Sequence, residues 1–249
     1  MPLPPIYYHC FKTPLSYAKA LALQERIHAQ QLVLRKEKLS RDFLFLLEHR
    51  PVYTYGRRQT EETQGDPLVR PDQHEAQTER LTDLGADVVR TKRGGETTYH
   101  GPGQLVGYPL LDLGRYGPPM PIREYICRLD KTLKAHIREE HGVEAIPSEH
   151  TGVFLDHHTK VASIGVQVRH RLTTHGFAFN VTKEPLAWFD HIVACGLTDV
   201  KAGHCLALWT GLWRDMVQLD MDQEGSEEEL IRDAEKDAIT MIVLRGPDA

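Results

Sequence analysis

Hydrophobic and polar positions along the chain change period several times, and each change marks an element. Behind Ser16, apolar residues at Ala20, Leu23, Ile27 and Leu34 keep a helical spacing. This predicts a helix over 16–38 with Ser16 as its N-cap. Residues 6–11 are a short aromatic and apolar run, read as an edge strand. Residues 43–47 are continuously apolar, the mark of a buried strand. Residues 59–82 are polar, with Gly65, Pro67 and Pro71. They read as a surface loop with a short helix over 75–81, and loops of that length are uncommon unless functional. Strand character returns over 84–91 and 105–111. Pro121 stands at a helix start, where its missing N–H costs nothing. Ile122, Ile126, Leu129, Leu133 and Ile137 carry that helix to residue 140. Residues 152–155 and 160–168 read as a hairpin joined by Asp156, His157, His158 and Thr159. A strand over 174–181 and a short helix or turn over 188–193 follow. Ser226 and Glu229 have capping-box spacing, and the helix they begin runs through Leu230, Ile231, Ala234, Ala238 and Ile242.

Strands outnumber helices and cluster between them, which gives an α+β fold of mixed and antiparallel sheets with packed helices. No boundary interrupts residues 1–205, read as one domain; residues 206–249 read as an acidic extension. Ten acids and two bases fall in 215–237, so a chain of net charge −5 carries about +3 elsewhere. Such a body suits an acidic protein partner through steering, and lacks the strongly basic face that nucleic acid requires. With 249 residues, 41% hydrophobic and 26% charged, the composition is that of a globular protein. No apolar run approaches the roughly 20 residues of a membrane span. Four cysteines without a C-x-x-C pair fit a reducing compartment. The first residues show no secretory signal, and two lysines without arginine in residues 1–20 are a weak mitochondrial presequence.

Arg93 to Gln104 holds four glycines and a proline in twelve residues, with Arg93, Tyr99, His100 and Gln104 among them. It is neither a Walker phosphate loop nor a dinucleotide fingerprint. A tight loop between strands is one reading. The other is a rigid, polar-edged wall of a narrow apolar groove. Cys195, beside Gly196, is a candidate nucleophile once a lysine, histidine or helix terminus lowers its pKa; taken alone it reads more readily as a buried structural cysteine. Lys160 opens a strand of small and apolar residues. It is either a hairpin-end lysine in water or a partner held against a thiol. His49, His100 and His175 sit at strand ends as possible acid–base groups or donors to an acyl oxygen, and a Cys–His dyad competes with Cys195–Lys160. His157 and His158 belong to a polar turn and are expected in solvent. His204 and Cys205 are adjacent, which makes them poor joint metal ligands.

Five blocks in order resemble one family. They are Arg93, Gly94, Gly95 with Thr98 to Gln104; His49 to Thr54 with Gly56, Arg57 and Arg58; Lys160 to Val166; Thr174, His175 and Gly176 through Asn180; and Ile192 to Leu197. Together they are similar to the LipB-type octanoyl-[acyl-carrier-protein]:protein N-octanoyltransferases over about residues 15–200. The resemblance implies a fold shared with biotin and lipoate protein ligases. It also implies transfer of an octanoyl group from octanoyl-acyl carrier protein to a lysine of lipoyl domains, those of 2-oxoacid dehydrogenase E2 subunits and the glycine cleavage H protein. Cys195 then forms the thioester and Lys160 is its acid–base partner. Arg93, Gly94, Gly95, Tyr99 and His100 line the acyl site, with His49, Ser163, Ile164, Gly165, His175 and Gly176 as neighbours. No metal or cofactor is implied, since the acyl group arrives on the carrier's phosphopantetheine. Three places depart from the family pattern: Ala194 replaces a proline, Phe154 a tryptophan, and the chain from Ala202 to Cys205 replaces a Thr-Ser pair. The long 59–82 segment and the tail resemble eukaryotic members, which implies mitochondria for a eukaryotic chain and cytoplasm otherwise. The alternatives are an ATP-dependent lipoate or octanoate ligase, and a non-catalytic relative that binds lipoyl domains or acyl carriers.

Overall fold

The computed structural model describes residues 6–58, 71–115, 118–193, 199–205 and 242–244. Strand β1 (Ile6–Cys10) leads through Ser16, whose hydroxyl accepts the Lys19 N–H, into α1 (Tyr17–Lys36). Strands β2 (Asp42–Leu47) and β3 (Val52–Tyr55) follow, then α2 (Pro71–Asp83), which begins earlier than the polarity pattern predicts. Next come β4 (Asp87–Arg90), β5 (Thr98–His100), β6 (Gln104–Leu110) and α3 (Ile122–His141). The hairpin β7 (Val153–Asp156) and β8 (Thr159–Arg169) matches the predicted one. Strand β9 (Leu172–Asn180), helix α4 (Glu184–Phe189) and strands β10 (Lys201–Ala202) and β11 (Ile242–Leu244) complete the described chain.

Two sheets result. The larger runs β10-β8-β9-β6-β2-β1-β11 with β7 on β8, and the smaller runs β4-β3-β5. Parallel pairs (β1 with β2, β3 with β4, β10 with β8) lie among antiparallel ones, so the α+β reading holds. Two sequence expectations change. The glycine-rich stretch contains a strand of its own, β5, which pairs with β3. Ile242 is not helical: with Val243 and Leu244 it forms β11, antiparallel to β1. The rest of the predicted C-terminal helix lies outside the described residues.

Among the described residues, each face of the large sheet carries one long helix. Ala20 and Ile27 of α1 pack on Phe45, Leu47, Val106, Tyr108, Leu110 and Ala178. Leu133 and Ile137 of α3 pack on Val153, Val161, Ala162 and Phe179 on the opposite face. Ile122 does not belong to that stripe; it is 48% exposed, and Tyr125 takes its place beside Leu129 and Val166. The α1 face is less apolar than its spacing predicts. Gln24, His28 and Gln31 are buried with it. They act as clamps, since Gln31 Nε2 donates to Leu110 O and Arg41 O at 2.9 and 2.8 Å. A buried amide is tolerated only when such partners exist.

Candidate functional site

The glycine-rich segment is braced by its own arginine. Arg93 is buried, and its guanidinium donates to Thr54 O (2.7 Å), Thr54 Oγ1 (2.8 Å), Glu96 O (2.8 Å) and Gly94 O (3.0 Å). A planar fork of donors suits a loop whose carbonyls point inward. Gly94 N–H then docks the loop on β8 through Val166 O at 3.0 Å. Gly56 is obligatory here, because a Cβ on it would lie 2.1 Å from Gly95 O.

Beneath this loop lies a narrow cavity between the small sheet and the α1 face of the large one. Arg93, Gly94, Gly95, His100, Ser163, Ile164, Gly165, His175 and Gly176 all line it, as do Tyr17, Glu96, Thr98, Val106, Tyr108, Phe177 and Ala178. Its floor is made of directly paired small residues, Gly165 opposite Gly176 and Ser163 opposite Ala178. Gly176 leaves no choice of residue, since a Cβ there would sit 2.2 Å from Gly107 O. Half-exposed Gly94, Gly95, Glu96, Ser163 and Gly165 mark the mouth.

One end of the cavity is an aromatic and imidazole cluster. The Tyr17 ring is stacked on both His100 and His175, with centroids 6.5 Å away in each case. His175 holds a left-handed backbone (φ 59°), and its N–H leaves the sheet to meet Gln24 Oε1 at 2.7 Å. Its Nδ1 lies 3.3 Å from Tyr17 Oη. Such strain in a buried non-glycine residue persists only where surrounding contacts hold it. His49 is fully buried behind this layer. Its Nδ1 faces Leu15 O (3.1 Å), which only accepts, so Nδ1 carries the proton and Tyr108 Oη donates to Nε2 at 2.6 Å.

Burial sets the charge state of the cluster. It pushes His49 down to about 4 and His175 down to about 3, with Arg93 adding to the latter. Burial also takes His100 well below the usual range, helped by His49 and Arg93. It raises Tyr17 to about 12, against the opposing pull of Arg93 and Thr91, and lifts Tyr108 well above the usual phenol range too. At neutral pH these rings form an uncharged polar wall. That suits an apolar ligand with a polar end, and it makes the histidines weak bases.

Other expected residues lie elsewhere. Tyr99 does not line the cavity. Strand alternation turns Thr98 and His100 toward it and Tyr99 away, into a cluster with Tyr53, Trp188 and Phe189. His49 stands one layer behind. Lys160 is half-buried near the start of β8, with Nζ 5.4 Å from the Phe154 ring centroid, a cation–π placement. Gly152 makes room for it, since a Cβ there would lie 2.5 Å from Lys160 Cε. Cys195 lies outside the described residues. The chain that follows it returns at Asp199, whose carbonyl accepts from His158 Nδ1 at 3.0 Å. Ala202 then pairs with Lys160, and Gly203 N–H donates to Lys160 O at 2.8 Å. His157 and His158 are exposed, as their turn predicts. Cys205 is buried among Leu133, Ile137, Val161 and Phe179, and burial raises its thiol.

Sequence reasoning missed Tyr17, Glu96, Thr98, Val106, Tyr108, Phe177 and Ala178. Val106 and Tyr108 were accessible from the period of two in β6, since both share the face of Ala178. No local signal marks Tyr17, which reaches the site only because α1 crosses the sheet there.

A family model described as lipoyl protein ligase A/B catalytic domain matches residues 16–205. An octanoyltransferase of Caldicellulosiruptor saccharolyticus is 39% identical over 192 residues, covering 76% of this chain and 74% of that protein. The mitochondrial octanoyl-[acyl-carrier-protein]:protein N-octanoyltransferase LIPT2 of Danio rerio is 39% identical over 183 residues, 74% of each chain. Among solved structures, the putative lipoate protein ligase Ta0514 of T. acidophilum superposes with a TM-score of 0.55 at 14% identity, over 87% of this chain and 81% of its own. At that identity the likeness carries the fold alone.

Proposed function

Because the chain belongs to the lipoyl protein ligase A/B catalytic-domain family, we propose that it moves an octanoyl group from octanoyl-acyl carrier protein, through Cys195, to a lysine amine of lipoyl domains. Relatives named as octanoyltransferases support transfer in place of ligation. The observation that carries the reading is the slot under the Gly94–Gly95 loop. Its floor is made of small residues, its ring-lined end is uncharged, and among the described residues the one arginine that lines it is already committed to loop carbonyls. That is a holder for an acyl chain; a nucleotide phosphate would ask for open cationic donors.

The chemistry needs no ATP. Lys160 as an amine takes the Cys195 thiol proton, and the thiolate attacks the donor thioester carbonyl. The carbonyl–sulfur bond to the carrier breaks, and the leaving thiolate recovers the proton from Lys160. One thioester replaces another, so the step is close to isoenergetic. The incoming lysine then attacks as a free amine, and Lys160 accepts its surplus proton. An amide replaces the thioester, the Cys195 thiolate leaves and is reprotonated, and this step is downhill. Phe154 lies under Nζ and favours the ammonium, the form Lys160 takes once it has accepted the proton. For a eukaryotic chain we also propose the mitochondrion as its compartment, as in the Danio rerio relative.

The test is transfer to a purified lipoyl domain, followed by intact mass. Octanoyl-carrier protein without ATP is expected to octanoylate the domain with wild-type enzyme and not with Cys195→Ala. Strict dependence on ATP and free octanoate would assign the ligase reaction instead.

A further inference from the structure

We propose that Gln104 and Asn180 are positioning residues that fix the tautomer of His100, so that its bare Nε2 serves the cavity as a hydrogen-bond acceptor. The assignment starts at Gly203, whose carbonyl accepts from Asn180 Nδ2 at 2.9 Å. A carbonyl only accepts, so that end of the Asn180 amide is the NH₂ and Oδ1 faces the other way. Oδ1 accepts from Gln104 Nε2 at 2.8 Å. The same Nε2 donates to Tyr99 O at 3.2 Å. Two acceptors therefore orient the Gln104 amide and turn its Oε1 toward His100 Nδ1, at 2.7 Å. That contact needs a proton on Nδ1. A neutral imidazole carries one N–H, so Nε2 is left as the acceptor of a ring that lines the cavity. Gln104 and Asn180 are both nearly inaccessible, which makes a flipped amide costly.

The relay joins β5, β6 and β9 to the segment that returns after Cys195, at Gly203 just beyond β10. Its root is tied to the candidate acid–base residue, because Gly203 N–H donates to Lys160 O at 2.8 Å. Its consequence is chemical. Neutral His100 does not donate to an acyl oxygen, contrary to one of the roles the sequence suggests for it. It receives an N–H. A thioester offers only acceptors, whereas the pantetheine arm has amide N–H groups and the incoming lysine an amine. Which of these it meets rests on the octanoyl-transfer reading; the tautomer does not.

The experiment labels histidine with ¹⁵N in the full-length protein and reads the protonated ring nitrogen by long-range ¹H–¹⁵N correlation, with His100→Gln supplying the assignment. Wild-type His100 is expected to carry its proton on Nδ1. Gln104→Leu removes the acceptor; the proton is expected to move to Nε2, and kcat/KM to fall on the order of tenfold, as when a tautomer-fixing partner is lost elsewhere. Asn180→Asp keeps Oδ1 as an acceptor for Gln104. It is expected to retain the Nδ1–H form and a rate closer to wild type than Gln104→Leu. Measuring Cys195 acylation and lysine transfer separately identifies the donor: a loss in the first assigns the pantetheine arm, a loss in the second the lysine amine. Wild-type protonation on Nε2 overturns the proposal, as does a tautomer shift in Gln104→Leu with both half-reactions unchanged. An Nδ1–H signal in a protein that transfers no octanoyl group would overturn the function and leave the tautomer standing.

Discussion

His49 shows how much a single buried ring can do without touching a ligand. Both its nitrogens are used, by Leu15 O and by Tyr108 Oη, and it stays neutral down to about pH 4 in the folded chain. An unfolded chain takes up that proton near pH 6.5. Below that value the unfolded state binds more protons than the folded one, so stability rises with pH between about 4 and 6.5 and is lost as acid is added across that window. His49→Gln removes this contribution. Urea titrations at pH 7 and pH 5 are expected to show wild type losing about 2 kcal/mol more than the variant on acidification. An equal loss in both would contradict the buried, neutral assignment. The sequence placed His49 near the site on motif alone. Its place behind the cavity follows from contacts 34 and 59 residues away, which no local pattern contains.

At the scale of elements, the loop and the floor beneath it make different demands on their glycines. A Cβ on Gly94 would meet only Val166 O, at an ordinary 3.5 Å, whereas Gly95 has a φ of 88° that a side chain resists. Gly94→Leu is therefore expected to fold with a near-native melting temperature and to lose acyl transfer by filling the mouth. Gly176→Val is expected to fail in folding, because its Cβ would overlap the Gly107 carbonyl. Circular dichroism melts beside transfer rates separate the two; a Gly94→Leu protein with full activity would return the loop to a purely structural role. The elements themselves were largely readable. The cap at Ser16, the apolar run of β2 and the hairpin of β7 and β8 follow local rules. Strand β5 was not, because three residues among glycines show no period, and only pairing with β3 makes them a strand. Tyr99 was misplaced for the same reason: its side follows from the strand's alternation, and the motif carries no direction.

Across the whole molecule, α1 and α3 cover opposite faces of one sheet, and the small sheet closes a slot on the α1 side. Depth in such a slot measures an apolar ligand by its methylenes. Each buried CH₂ contributes about 0.8 kcal/mol, so two fewer cost about 1.6 kcal/mol, or roughly tenfold in kcat/KM. Hexanoyl-carrier protein is expected to react about that much more slowly than octanoyl-carrier protein, and equal rates would remove the slot as the ruler. The family and the fold were legible from five ordered blocks, which brought nine of the named residues to one cavity. The polar inventory of α1 was not, because Gln24 and His28 look like surface residues until the sheet they clamp is known.

The central claim is that the slot presents an acyl group to Cys195 with Lys160 as its proton partner. Intact mass spectrometry of the protein mixed with octanoyl-carrier protein, without ATP and without an acceptor, tests it most directly. One octanoyl group is predicted on wild type, located to Cys195 by peptide mapping, absent from Cys195→Ala and formed far more slowly in Lys160→Met. An adduct that persists in Cys195→Ala, or none in wild type from a donor shown to be intact, would contradict it.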